Sequence, residues 1–146
     1  MAETGKRDDP YGAFNFVVQI DGVNVAGFSE VGGLSSETDA IDYRNGNEDI
    51  TVRKLPGLKK FTNISLKRGF TDSKDLWQWR LSVMQGKTER KAGTIILQNE
   101  QRQPALKWEF KEGWPSKWEG PSLNAKNNEV AIETLEITCE DVGYAS

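Results

Sequence analysis

The sequence contains no histidine and only one cysteine among its 146 residues. The missing histidines remove every Ser-His-Asp and Cys-His catalytic arrangement, together with the commonest metal ligand. With a single cysteine as well, the usual zinc sites are excluded. Cys139 cannot form an intrachain disulfide, so nothing requires an oxidising compartment, and it reads as a small buried hydrophobe. No apolar run approaches the ~18 residues of a membrane-spanning helix. The opening MAETGKRDDPYG is charged and lacks the apolar stretch of a secretory signal peptide. A basic excess is also missing: 19 basic against 22 acidic residues give a net charge of −3, which disfavours a dedicated nucleic-acid surface.

What is present suggests one turn-rich β domain over residues 1–146, with a short flexible segment over about residues 1–9. Hydrophobic residues make up only 36% and charged residues 28%, so the core is modest and the polar surface generous. Phe14, Phe16, Val18 and Ile20 alternate onto one face, and Asp21-Gly22 supplies a two-residue hairpin turn. Gly32-Gly33 breaks the chain before a polar strand running to Tyr43. RNGNED, residues 44–49, is a loop; ITVRKL is a short strand ended by Pro56-Gly57; Ile64 and Leu66 share a face of the next. A second hairpin turns around Asn99 to Gln103, after which Leu106, Trp108 and Phe110 alternate with Lys107, Glu109 and Lys111. PSKWEGPSLNAKNN reads as a connection. In the final strand Val130 and Ile132 are out of phase with Leu135, Ile137 and Cys139; a β-bulge at Glu133-Thr134 or burial on both sides would explain the slip. The total is seven to eight strands, spaced as a barrel or sandwich.

One segment has a different period. TDSKDLWQWRLSVMQG, residues 71–86, predicts a helix from Ser73 to Gln85, capped by Asp72 or Ser73 and ended by Gly86. Leu76, Val83 and Met84 form a stripe that Trp77 and Leu81 widen, with Trp79 near its edge. That arc is wider than one face of a small barrel needs.

The remaining chemistry is sparse. The acids Glu30, Glu37, Asp39 and Asp42 show no EF-hand spacing, and EVGGLSSETD lacks the lysine of a phosphate-binding loop. Trp108, Trp114 and Trp118 suit either sugar stacking or core and interface packing. Charge is segregated along the chain. Residues 30–49 hold six acids and one base, Arg44, whereas residues 53–68 hold six bases and no acid. Two readings fit: solvated strands that pair with each other, or complementary surfaces at opposite ends of a subunit that make heterologous contacts.

Six segments in order resemble the tail-tube protein family, which forms the inner tubes of contractile phage tails and of extracellular contractile injection systems. They are DPYGAFNFVVQIDG, GFSEVGGLSSETD, YRNGNEDITVRKLPGLKKFTNISLKRG, DLWQW, GWPSKWEGPSLNA and NEVAIETLEI, and they cover about residues 9–140. The resemblance implies a mainly β fold of two packed antiparallel sheets forming a barrel or sandwich with one short α-helix, similar to the haemolysin-coregulated protein of type VI secretion. It implies homo-hexameric rings stacked into a tube inside a sheath, assembled in the bacterial cytoplasm. Baseplate or spike and tube-terminating proteins would be further partners, with cargo protein or phage DNA in the lumen, and with neither cofactor nor catalytic activity.

Carried over by position, the resemblance marks an assembly interface. Tyr43, Arg44, Asn45, Gly46, Asn47, Glu48 and Asp49 match the extended loop that contacts an adjacent ring or subunit. Lys59 and Lys60 lie in or beside the strand after it, and Trp77 and Trp79 lie on the helix packed between barrel and neighbour. A tube initiator or baseplate adaptor of the same fold is an alternative. From a different class, so is a monomeric sugar- or nucleic-acid-binding β-barrel.

Overall fold

The computed structural model describes residues 12, 15–21, 28–44, 46, 52–69, 73–126 and 130–145. Among them the chain forms nine strands and one helix: β1 (Phe16–Ile20), β2 (Phe28–Gly32), β3 (Ser36–Tyr43), β4 (Arg53–Phe61), β5 (Ile64–Gly69), α1 (Asp75–Met84), β6 (Lys91–Gln98), β7 (Pro104–Glu119), β8 (Ile132–Thr138) and β9 (Asp141–Tyr144). The expectations placed on Phe14, Gly22 and Asp72 lie outside the described residues.

Seven strands share one antiparallel network in the order β1-β6-β7-β8-β5-β2, with β9 also paired to β7; β3 and β4 form a separate two-stranded ribbon. The sixteen-residue β7 divides the network in two. Its first part, to Gly113, pairs β6 and β9, and its second part, from Trp114, pairs β8. Between them Glu112 takes the left-handed conformation at φ 53°, where the strand passes from one ladder to the other. Inward residues of both ladders meet in one cluster that contains Val18, Ile20, Ile95 and Phe110 from the first and Ile64, Leu66, Leu135 and Ile137 from the second. Leu76 and Trp79 of α1 complete it.

Two packed sheets and a single helix therefore form as the sequence predicts, but they do not close into a barrel. β1 and β2 are edge strands. A cavity of about 370 Å³ separates their inner residues, with Phe16 on one side and Val31 and Leu34 on the other. Closure would need strands about 4.8 Å apart.

Local chemistry explains the other departures. β2 does end at Gly32, and Gly33 holds φ 87° so close to Asn63 that a Cβ would lie 2.0 Å from the Asn63 carbonyl oxygen. Pro56-Gly57 does not end β4. That strand has only β3 beside it, so proline costs no ladder bond on the open side, and Gly57 and Leu58 bulge opposite the single Asp39. Pro115 is likewise tolerated within β7, at a register shift, so the expected connection begins only after Glu119.

The helix starts later than expected, at Asp75. Lys74 occupies the N-cap position without a side-chain bond, and no serine or aspartate caps it. Its end agrees: Gly86 at φ 79° and Lys87 donate to the Val83 and Ser82 carbonyls, a Schellman closure.

The final strand contains no bulge at Glu133-Thr134, since β8 keeps continuous register with β5 from Gly69↔Ile132 to Ile64↔Ile137. Its apparent slip has another cause. Val130 and Ile132 are exposed, and the inward position before Leu135 is filled by Glu133. Glu133, 2% exposed, accepts from Arg68 Nε at 2.5 Å and from the Trp118 indole at 3.1 Å. Arg68, 3% exposed, also donates to the Ser73 carbonyl at 3.5 Å and lies over the Phe28 ring. Removing one member strands a buried charge, so Glu133→Ala should lower unfolding free energy by about 3–5 kcal/mol in a urea titration.

Candidate assembly interface

The ribbon of β3 and β4 is the most exposed part of the described fold. Every residue of β3 is exposed, and in β4 only Gly57 and Phe61 are partly covered. Its register stacks Ile41 opposite Leu55 and Tyr43 opposite Arg53 on one face, with Ala40 opposite Pro56 and Asp42 opposite Lys54 on the other. The first face thus carries three large apolar or aromatic side chains, all about half exposed. A two-stranded ribbon is only marginally stable alone in water, and this one finds little cover among the described residues.

The segregated charges meet across this ribbon and its neighbour. Lys54 pairs with Asp42, Lys60 with Asp39 at 3.3 Å, and Lys67 of β5 with Glu30 of β2 at 3.4 Å. The acidic and basic stretches are therefore largely cross-strand partners, as the simpler reading of the sequence holds. All are well exposed, so each pair contributes at most about 1 kcal/mol. Among the described residues no three acids group closely enough to hold a metal ion.

The residues marked from sequence separate into three groups. Tyr43 ends β3, Arg44 and Gly46 follow it at the ribbon tip, and Lys59 and Lys60 lie on β4; all are exposed. Asn45, Asn47, Glu48 and Asp49 lie outside the described residues. The two tryptophans part company. Trp79 is 3% exposed, packs in the core, and donates its indole N–H to the Glu89 carbonyl at 2.8 Å. Trp77 is half-buried, its ring 4.9 Å from that of Trp118. Trp79 is thus covered by its own subunit, and the exposed large apolar side chain of the helix is Met84, at its end. Sequence reasoning missed Ile41, Leu55 and Leu58; their alternation along two strands joined by a loop was the available signal.

The outer face of the second ladder is polar and internally satisfied. Thr138 bonds both Asn63 and Ser116, Asn63 bonds Glu136, and Lys117 bonds Glu119 at 2.7 Å. That bond holds the Glu119 carboxyl below its ordinary range and raises the Lys117 ammonium. Trp108 and Trp118 lean on the core, and Trp108 contacts Tyr144 with ring centroids 5.6 Å apart. Cys139 is half-buried. Burial, and after it Asp141, pushes its thiol above the ordinary range.

The sequence profile of the T4-like virus tail tube protein gp19 family matches residues 12–143. The chain belongs to this tail tube family. Solved structures agree. A chain of the sheath–tube complex of an extracellular contractile injection system, PVC, in the extended state superposes with a TM-score of 0.87 at 26% identity, covering 100% of this chain and 98% of that one. A chain of the tube-terminating cap of the anti-feeding prophage gives 0.85 at 26%, covering 100% and 99%. Hcp1 from Flavobacterium johnsoniae gives 0.61 at 17%, covering 90% and 94%, a likeness of fold alone. No curated protein sequence matches the chain. The protein is a structural tube subunit of the kind found in contractile injection systems and phage tails.

The tail tube subunit should tolerate change on the ribbon and not in the core. Replacing Trp79 by alanine should cost about 3–5 kcal/mol, whereas Leu55→Ser should move the unassembled subunit by no more than about 0.5 kcal/mol in the same chemical melts. Cys139 should alkylate slowly at neutral pH and accelerate only above the pH at which an ordinary thiol ionises.

Proposed function

We propose that this chain is the repeating subunit of an inner tube: six copies close into a ring, rings stack, and the β3–β4 ribbon reaches an adjacent ring or subunit. The observation that carries this is the ribbon itself. Of seventeen strand residues, eight in β3 and nine in β4, all but Gly57 and Phe61 are exposed, and the apolar face is left about half in water. Edge strands β1 and β2 offer further unpaired backbone to a neighbour. A ring built from heterologous contacts buries both on every copy.

The likeness to chains in sheath–tube, baseplate and terminator structures supports a sheath around the tube and capping proteins at its ends. In this reading sheath contraction drives the tube through a target envelope, the lumen carries cargo protein or DNA, and assembly takes place in the bacterial cytoplasm. The subunit itself performs no catalysis.

Electron microscopy of the purified protein across a concentration series tests the reading. Rings or tubes of uniform width are the expected result. A monomer that persists at every concentration, even with a nucleating baseplate added, contradicts it and favours a binding module. Reversing Lys59 and Lys60 to glutamate should shorten tubes more than it disturbs rings, because both are exposed on the ribbon through which this reading stacks the rings. Unchanged tube length would remove these lysines from the stacking contact.

A further inference from the structure

Two apolar features of the subunit remain without a counterpart, one convex and one concave. The convex one is Leu58. The β4 bulge pushes it out of the ribbon opposite Asp39, and at 76% exposure it is the most exposed aliphatic side chain in any described strand. The concave one is the cavity of about 370 Å³ at the open side of the two sheets, lined by Phe16, Val31, Leu34, Leu97 and Trp108, with Glu30 on its margin. Core interiors are otherwise close-packed, so an apolar hollow of this size open to solvent is costly to leave empty.

Leu58 does not reach the hollow of its own chain, as its exposure shows. A homopolymer, however, supplies one such side chain and one such hollow per copy. A protrusion and a recess at different places on one surface make a heterologous contact, which repeats from copy to copy. Charge is matched as well. Among the described residues Lys59, next to Leu58, has no acidic partner, and the Glu30 carboxylate at the cavity margin is exposed and pairs with Lys67 alone.

We infer that Leu58 of one subunit docks in the inter-sheet cavity of a neighbouring copy, with Lys59 meeting Glu30 beside it. This rests on the tube reading and narrows it to one knob and one recess. The contact joins the end of the structure where the sheets fail to close to the ribbon that no other element covers.

Site-directed cross-linking tests it. In a Cys139→Ser background, Leu58→Cys and Ser29→Cys are combined; Ser29 is exposed on the cavity margin. Oxidised tubes should give linked dimers and longer ladders on a non-reducing gel, while each single cysteine variant stays monomeric. Tubes that assemble normally yet remain monomeric on the gel, or that close the bridge within one chain, overturn the docking and leave the tube reading intact. A second measurement does not depend on cysteine geometry. Leu58→Asp should raise the critical concentration for assembly roughly tenfold or more, and Leu58→Met should leave it near that of the unsubstituted protein. Equal assembly of the aspartate variant overturns the docking. Failure of the unsubstituted chain to form rings or tubes under any condition overturns the tube reading and the docking with it.

Discussion

The charge pair of Arg68 and Glu133 is the interaction on which the rest of this fold converges. Burying two opposite charges costs several kcal/mol per ion before their attraction is counted, so such a pair persists only where hydrogen bonds satisfy what remains. Here they do. Glu133 takes Arg68 on one oxygen and the Trp118 indole on the other, and Arg68 reaches the Ser73 carbonyl just before the helix. Four parts of the fold thus meet at one point: β5 and the approach to α1 that follows it, the second part of β7, and β8. A one-residue slip of β8 against β5 would turn Glu133 to solvent and strand Arg68 inside. The pair therefore selects the register of the second ladder, and the helix position follows from it.

Around that centre the chain divides its labour by solvent contact. Apolar side chains are spent inside the two ladders and under the helix, which is why so lean a composition still yields a packed interior. The ribbon receives the opposite treatment. It carries cross-strand ion pairs and an apolar face left about half exposed, the face that the proposed tube would cover with another copy. Marginal stability alone is then an advantage, because the ribbon can adapt before it is covered.

Much of the fold was legible because it rests on local patterns. The alternation of Leu106, Trp108 and Phe110, the turn around Asn99, the break at Gly33 and the helix stop at Gly86 are encoded within a few residues each. What was not legible depends on partners distant in sequence. Glu133 looks like a surface residue and breaks the hydrophobic phase of its strand; only Arg68, 65 positions away, makes it an inner one. Pro56 and Pro115 look like strand ends, and only the open side of β4 beside one and the register shift of β7 at the other reveal why they are not. The same limit applies to the interface. Trp77 and Trp79 are alike in the sequence, and the difference between them is set by Trp118 beside one and the core around the other. Ile41, Leu55 and Leu58 needed the ribbon's register to become a surface.

The passage of β7 through both ladders has a mechanical consequence. Force applied to one sheet of the subunit has to cross to the other. In a sandwich of separate sheets that load crosses only side-chain packing, which slides. Here it follows an unbroken backbone from Pro104 to Glu119, clamped by β6 and β9 at one end and by β8 at the other. Drawing the sheets apart along that direction means shearing many backbone bonds together instead of opening them one by one. The strand is a tie between the sheets, and resistance to their separation is built into the topology of the single subunit.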